Sequence, residues 1–402
     1  MQSSPRGMRL HIGIFGRRNV GKSSLLNAIT AQNVSIVSEV AGTTTDPVEK
    51  PMELLPLGPV LFIDTAGLDE DVQAGKLGEM RVERTRHVFN RTELALLVLD
   101  GDDWGPFEEQ LRVEFQRRGV PMLVVFSKCD CREPNAALVQ RVQTEFGLPT
   151  VFTSTKDPES AARVRRAILE CVPEDWIQSP PLVTDLLRSG DTVVLVIPID
   201  KEAPKGRLIL PQVQVLRELL DHGITAVVTR DSELAETLGK LKNPPALVIT
   251  DSQAFQKVNA IVPSEIPLTG FSVLFARFKG DLRTFIEGTQ TIANLKPGAN
   301  VLIAETCSHH PIGDDIGRVK IPNWLEKFVG GKLNFQHTQG HDFPPNLKDF
   351  DLVIQCGGCM TNRREILSRI MTCRENGVPI TNYGMVIAFS LGIFERAVEI
   401  FR

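Results

Sequence analysis

Three segments in the first third of the chain pair residue types with spacings that suit phosphate and purine chemistry. Gly16-Arg17-Arg18-Asn19-Val20-Gly21-Lys22-Ser23 has the spacing G-x-x-x-x-G-K-S, with the apolar run HIGIF before it and the helix-like SLLNAIT, which includes Ser24, after it. Glycines at those positions let backbone N–H groups wrap phosphates at a helix N-terminus. Lys22 can then reach the β and γ phosphates, and the Ser23 hydroxyl can ligate Mg²⁺. Asp64-Thr65-Ala66-Gly67 ends the run VLFIDTAG. There the Asp64 carboxylate can hold Mg²⁺ through water, and the Gly67 N–H can sense the γ-phosphate. Between the two lies Gly42-Thr43-Thr44-Thr45, which offers Thr44 as a sensor of the γ-phosphate and Mg²⁺.

A base-reading element follows the strand-like MLVVF. In Ser127-Lys128-Cys129-Asp130 the Asp130 carboxylate can accept two N–H donors from guanine, which adenine does not offer. Donors left unpaired in a closed site are costly, so the arrangement discriminates strongly. The pattern is N-K-x-D with serine, a shorter side chain, at its first position. Thr153-Ser154-Thr155, after a further strand-like run, fits a loop that backs the base, with Ser154 at its centre. Such triplets are common and carry little weight alone.

A different chemistry lies near the other end. Cys307-Ser308-His309 and Cys356-Gly357-Gly358-Cys359 each follow a strand-like run, and thiolates select iron-sulfur clusters, Zn²⁺ or Cu(I). The glycines of C-G-G-C let the backbone bend around a bulky group. Alone, C-x-x-C also fits a redox dithiol or half a zinc site; with Cys307 added a metal is expected. A Cys₃His zinc site using His309 is one alternative. Three cysteines without a fourth instead suit a 4Fe–4S cluster with one iron open. His310, His337 and His341 are further candidate partners. Cys373, inside the helical stretch REILSRIMTCREN, reads as a small core residue, and Cys129, Cys131 and Cys171 have no ligand spacing.

The elements that must position these residues form three successive α/β alternations. LHIGIF, VLFID, LALLVLD, MLVVFS and TVF alternate with amphipathic stretches, the pattern of a parallel sheet covered by helices, over residues 1–173. The proline-rich PEDWIQSPP reads as a boundary. DTVVLVIPID, ITAVVTR, PALVITD and FSVLFARF read as four buried strands of a middle α/β domain, 182–278, whose bland reading is packing or dimerisation. ANVLIAE, KLNFQH and DLVIQC, with helices near VKIPNWLEKFV and REILSRIMTCRENG, make a third, 279–402, with its cysteines where strands end. Ligands of open α/β sheets bind beyond the carboxyl ends of strands.

The bulk properties agree. A chain of 402 residues is long enough for two to three domains. Its 42% hydrophobic and 23% charged residues describe an ordinary folding chain and not a disordered one. The net charge of −4 supplies no global positive field for nucleic acid. No apolar run reaches the roughly 20 residues of a spanning helix. The start MQSSPRGMRLHIGIFG leaves no room for a signal peptide, so a cytoplasmic location is expected.

In order and spacing, the motifs of the first 165 or so residues resemble translation-factor-related small GTPases of the Era and TrmE branch. That branch has a hydrophobic residue after D-x-x-G, here Leu68, where a water-orienting glutamine stands in other GTPases. Slow or assisted turnover is implied. In TrmE-like proteins the loop asparagine at the place of Asn19 binds K⁺, which implies K⁺-stimulated hydrolysis of GTP to GDP here. With the middle domain and the C-x-H…C-x-x-C domain added, the whole chain resembles HydF, the maturation GTPase family of FeFe-hydrogenases. The resemblance implies a homodimer joined through the middle domain, and a 4Fe–4S cluster on Cys307, Cys356 and Cys359. It further implies a carried di-iron subcluster precursor, cooperation with the radical-SAM enzymes HydE and HydG, and delivery to apo FeFe-hydrogenase. Many members have histidine directly before C-x-x-C; this chain has Gln355. Two rival readings are a tRNA- or ribosome-directed GTPase with a structural zinc domain, and a Cys356–Cys359 dithiol that leaves Cys307 without a role.

Overall fold

The computed structural model describes residues 6–30, 48–65, 87–101, 104–154, 156–173, 180–199, 208–306 and 315–402. Thr44, Gly67, Leu68, Cys307, His309 and His310 lie outside them. Packing divides the chain into two compact units, Met1–Ser179 and Pro180–Arg402.

The first unit is built on β1 (Leu10–Phe15), β2 (Val48–Leu54), β3 (Gly58–Asp64), β4 (Leu94–Asp100), β5 (Met122–Ser127) and β6 (Thr150–Phe152). Their order is β2-β3-β1-β4-β5-β6, parallel except for the β2–β3 pair. The near-continuous apolar runs follow from burial on both faces. Along β4, Leu94, Leu96 and Val98 enter one core while Ala95, Leu97 and Leu99 enter the other. Helices over Lys22–Thr30, Pro106–Arg117, Ala136–Thr144 and Ser160–Cys171 alternate with the strands.

The second unit contains two four-stranded sheets, each wholly parallel. One has the order β10-β9-β7-β8, from β7 (Thr192–Val196), β8 (Thr225–Thr229), β9 (Leu247–Thr250) and β10 (Leu268–Gly270). The other has the order β12-β11-β13-β14, from β11 (Asn300–Ala304), β12 (Asn334–Thr338), β13 (Leu352–Gln355) and β14 (Ile380–Asn382). One shared core takes Val194 and Val248 from the first of these sheets and Leu302 and Val353 from the second.

The apolar run FSVLFARF corrects the sequence reading. It is a helix, Phe271–Lys279, and the fourth strand of its sheet is the three-residue β10 just before it. Phe271, Leu274 and Phe275 enter one core and Val273 and Ala276 the shared one. A helix covered on several sides loses the 3.6-residue alternation that marks a surface helix, so an apolar run alone does not separate it from a strand.

Candidate functional site

β1, fully buried, delivers the chain to Gly16, whose φ of +147° and the Val98 carbonyl 2.4 Å from an added Cβ leave room for no side chain. Asn19 and Gly21 follow with φ of 60° and 99°; asparagine is among the few non-glycine residues that tolerate the left-handed region. The helix Lys22–Thr30 starts there, with Leu25 N–H on the Gly21 carbonyl at 2.8 Å, and Ser24 in its first turn. Lys22 is buried, and its Nζ donates to the carbonyls of Gly16 at 2.8 Å and Arg17 at 2.6 Å. Val20 is buried beneath the loop.

Ser23 Oγ donates to Asp64 Oδ2 at 2.8 Å, while the buried Asp64 Oδ1 has no hydrogen-bond partner among the described residues. Burial pushes the Asp64 carboxyl above its usual range, against the opposing pull of Ser23 and Lys22. An orphaned carboxylate oxygen beside a hydroxyl and an ammonium suits a hydrated divalent cation, which would restore the charged form. Thr65 locks the start of this segment onto β1 through its Oγ1 on the Ile14 carbonyl at 2.7 Å.

The base-reading loop lies against the phosphate loop. Ser127 Oγ sits 2.5 Å from the Val20 carbonyl and 2.9 Å from that of Leu99, so its single proton ties β5 to one of them. Lys128 turns the chain at φ 54°, with its Nζ on Asp100 at 2.7 Å. Asp130 is exposed, and its carboxyl is held down at about 2, first by a hydrogen bond from Ser154 and then by Lys156. Lys156 Nζ stands 3.1 Å from its Oδ2. Asp130 and Ser154, distant in sequence, therefore meet.

Sequence reasoning passed over Lys156, although it directly follows the Thr153-Ser154-Thr155 triplet. It also passed over the bidentate pair of Arg17 with Glu108, at 2.9 and 3.0 Å, whose carboxylate also accepts the Gly105 N–H.

In the second unit β11 and β13 run parallel with Ala304 opposite Gln355, and Cys356 N–H continues the ladder onto the Ala304 carbonyl. Cys356 is buried and Cys359 exposed. The Cys356 sulfur is approached by Thr306 N at 3.2 Å, Thr306 Oγ1 at 3.1 Å and Gln355 Nε2 at 3.4 Å. The loop itself is gripped from afar. The buried Lys279 donates to the carbonyls of Gly358 at 2.6 Å and Thr361 at 2.7 Å, and Arg363 Nε reaches the Phe278 carbonyl at 3.0 Å.

Two cysteines alone make no metal centre, and the described residues hold no group of three His, Cys, Asp or Glu able to bind one. The donor set around Cys356 nevertheless fits a thiolate ligand, because N–H and O–H groups converge on a sulfur that an inert core thiol would keep in apolar surroundings. Cys373 is such a core thiol: it is fully buried, and burial pushes it up to about 12. Burial likewise raises Cys129, and takes Cys171 up to about 11. His337 pairs with the Gly317 carbonyl, and His341 with Glu365.

Comparison with known proteins matches three successive segments of the chain. Residues 283–400 match the family described as the hydrogen maturase F tetramerization domain, and 182–280 match the hydrogen maturase F dimerization domain. Together the two span more than half of the sequence. The chain belongs to the hydrogen maturase F family. Residues 11–128 match the family described as 50S ribosome-binding GTPase, so the first unit is a P-loop GTPase domain. Among curated relatives, the tRNA modification GTPase MnmE of Chromobacterium violaceum is 34% identical over 164 residues, 40% of this chain and 35% of that protein. GTPase Der of Wolinella succinogenes is 38% identical over 124 residues, 31% of this chain and 26% of that protein. The chain thus spans about a third or less of these relatives. A solved structure of Era from Aquifex aeolicus with GDP and aluminium fluoride is 20% identical, with a TM-score of 0.36, covering 62% of this chain and 97% of that one. Among the described residues no helix is long and apolar enough to cross a membrane.

Proposed function

We propose that the chain hydrolyses GTP and serves as a scaffold that carries a di-iron subcluster precursor and delivers it to apo FeFe-hydrogenase, with HydE and HydG as partners. The observation that carries this reading is the pair of hydrogen maturase F matches over the region where Cys356 emerges at the carboxyl edge of a parallel sheet.

In the nucleotide site, Lys22 gives up the carbonyls of Gly16 and Arg17 for the β and γ phosphates. Ser23 Oγ would turn from Asp64 to ligate Mg²⁺, and the Asp64 carboxylate would hold the cation through water. Asp130 exchanges Lys156 for the guanine N–H edge, with Ser154 behind the base. Thr44 and Gly67 are assigned to the γ-phosphate, and Asn19, exposed at the loop's turn, to K⁺.

In the second unit, Cys307, Cys356 and Cys359 would hold a 4Fe–4S cluster, which supplies an iron with an exchangeable position. Lys279 fixes the C-x-x-C backbone, while Thr306 orients the Cys356 sulfur. Assembly into homodimers through the middle region is supported by β8. It is an edge strand with Val228 half exposed, near a helix, Leu210–Asp221, that also exposes Val213 and Leu220. An open apolar edge favours strand pairing with a second copy.

Two measurements test the reading. GTP turnover is expected to rise when K⁺ replaces Na⁺, and equal rates would remove Asn19 from the ion site. Anaerobic reconstitution is expected to give a brown protein with an EPR-active reduced cluster; a colourless zinc-loaded chain that rejects iron would overturn the cluster assignment.

A further inference from the structure

Gln355 stands directly before C-x-x-C with its side chain buried, and the neighbouring side chains determine which way its amide faces. Arg369, also buried, donates from one terminal nitrogen to Gln355 Oε1 at 2.8 Å. The guanidinium has no acceptor, so the amide oxygen must face it and the NH₂ must face away. In that orientation Nε2 lies 3.4 Å from the Cys356 sulfur. The guanidinium is itself fixed. Its other terminal nitrogen donates to the Gly340 carbonyl at 2.7 Å and to Glu365 Oε1 at 3.1 Å, and its Cζ lies 5.3 Å from the centre of the Phe343 ring. Glu365 in turn pairs with Nδ1 of the partly exposed His341 at 3.0 Å. A chain of contacts thus runs from His341 through Glu365, Arg369 and Gln355 to the sulfur.

We infer that Gln355 is a positioning residue, locked by Arg369, whose amide N–H acts with Thr306 on the Cys356 thiolate and makes the bound cluster easier to reduce. The inference rests on the cluster reading above. Hydrogen bonds to cluster sulfurs stabilise the more negative reduced state and so raise the reduction potential. Gln355 Oε1 could turn to a metal only by taking its acceptor from one terminal nitrogen of a buried guanidinium, which is costly. Residue 355 is therefore a donor to the sulfur and not a ligand.

The test is the reduction potential of the full chain after anaerobic reconstitution, read by EPR-monitored redox titration, together with iron and sulfide content. Gln355→Leu is expected to keep its iron and shift the potential to more negative values. Gln355→Glu, which keeps the Arg369 contact but turns a carboxylate oxygen toward the sulfur, is expected to shift it further. Thr306→Val, which removes a second donor, should move it in the same direction and decides the matter if Gln355→Leu fails to fold. Proton ENDOR of the reduced cluster in D₂O should show one strongly coupled exchangeable site fewer in Gln355→Leu. An unmoved potential in both Gln355 variants, with cluster retained, overturns the inference alone. So does loss of iron in Gln355→Leu that Gln355→Glu restores, because residue 355 would then be an oxygen ligand. A wild-type chain that takes up no iron overturns this inference and the cluster reading together.

Discussion

The phosphate loop and the C-x-x-C loop both begin where a buried parallel strand ends, β1 at Phe15 and β13 at Gln355, yet they are held in different ways. The phosphate loop is held from within, Lys22 bonding carbonyls five and six residues back, and in the base-reading loop Asp130 is paired with Lys156. In the proposed function these are the bonds that GTP exchanges. The cysteine loop is held instead by Lys279, about 80 residues away, and by Arg363 reaching back to Phe278. A self-satisfied loop can open for a ligand that comes and goes, whereas a loop clamped from outside is pre-formed for a resident group.

The comparison can be broken most sharply at the cysteines. Cys307→Ser, Cys356→Ser and Cys359→Ser are each expected to lose most of the iron while GTP hydrolysis survives, since the thiolates belong to a different compact unit from the phosphate loop. Iron analysis and turnover on the same samples check both halves, and parallel loss of hydrolysis would mean that the two sites are not separable.

At the nucleotide site, Asp64→Asn is expected to slow Mg²⁺-dependent hydrolysis by about 10³-fold, the scale of several kcal/mol of lost metal-assisted charge stabilisation. The same change should raise the melting temperature of the nucleotide-free chain. The Asp64 carboxyl is raised by burial, so it binds its proton more tightly when folded than when unfolded. Its favourable contribution is present below the unfolded value and is lost as pH rises through the folded one. The stability advantage of D64N should therefore be largest near neutral pH and vanish in acid; melting curves at several pH values without Mg²⁺ measure it.

Asp130→Asn should weaken GTP by about 100-fold, the upper end for a charged hydrogen-bonding group, and shift preference toward xanthosine nucleotide. Unchanged affinity in a titration would remove Asp130 from the base site. The smallest effect sharpens the contrast in clamping. Lys279→Met strands two buried carbonyls and should cost about 2 kcal/mol in the unfolding of the second unit. Nucleotide turnover should not change, and denaturant unfolding followed beside GTPase assays separates the two.

The phosphate loop was legible because its chemistry is contiguous: eight residues between a strand and a helix carry their own geometry. The same holds for Asp64, placed by the apolar run before it, and for Cys373, placed in the core by its helical surroundings. FSVLFARF was misread because burial on several sides erased its period. Ser127 looked like a shortened base contact, but its hydroxyl lies against Val20 and Leu99, 107 and 28 residues away. Gln355 reads in the sequence only as the absence of a histidine, whereas in the structure Arg369 holds its oxygen.

From the sequence alone came a GTP-type phosphate site and the expectation of a metal at C-x-x-C, because local spacing and side-chain type suffice to choose a ligand. Only the tertiary structure decided the order β12-β11-β13-β14 that sets Thr306 beside Cys356, and the long-range grips of Lys279 and Arg369. Hydrogen bonds form between groups that meet in space, and when the partners lie tens of residues apart no periodicity along the chain records the meeting.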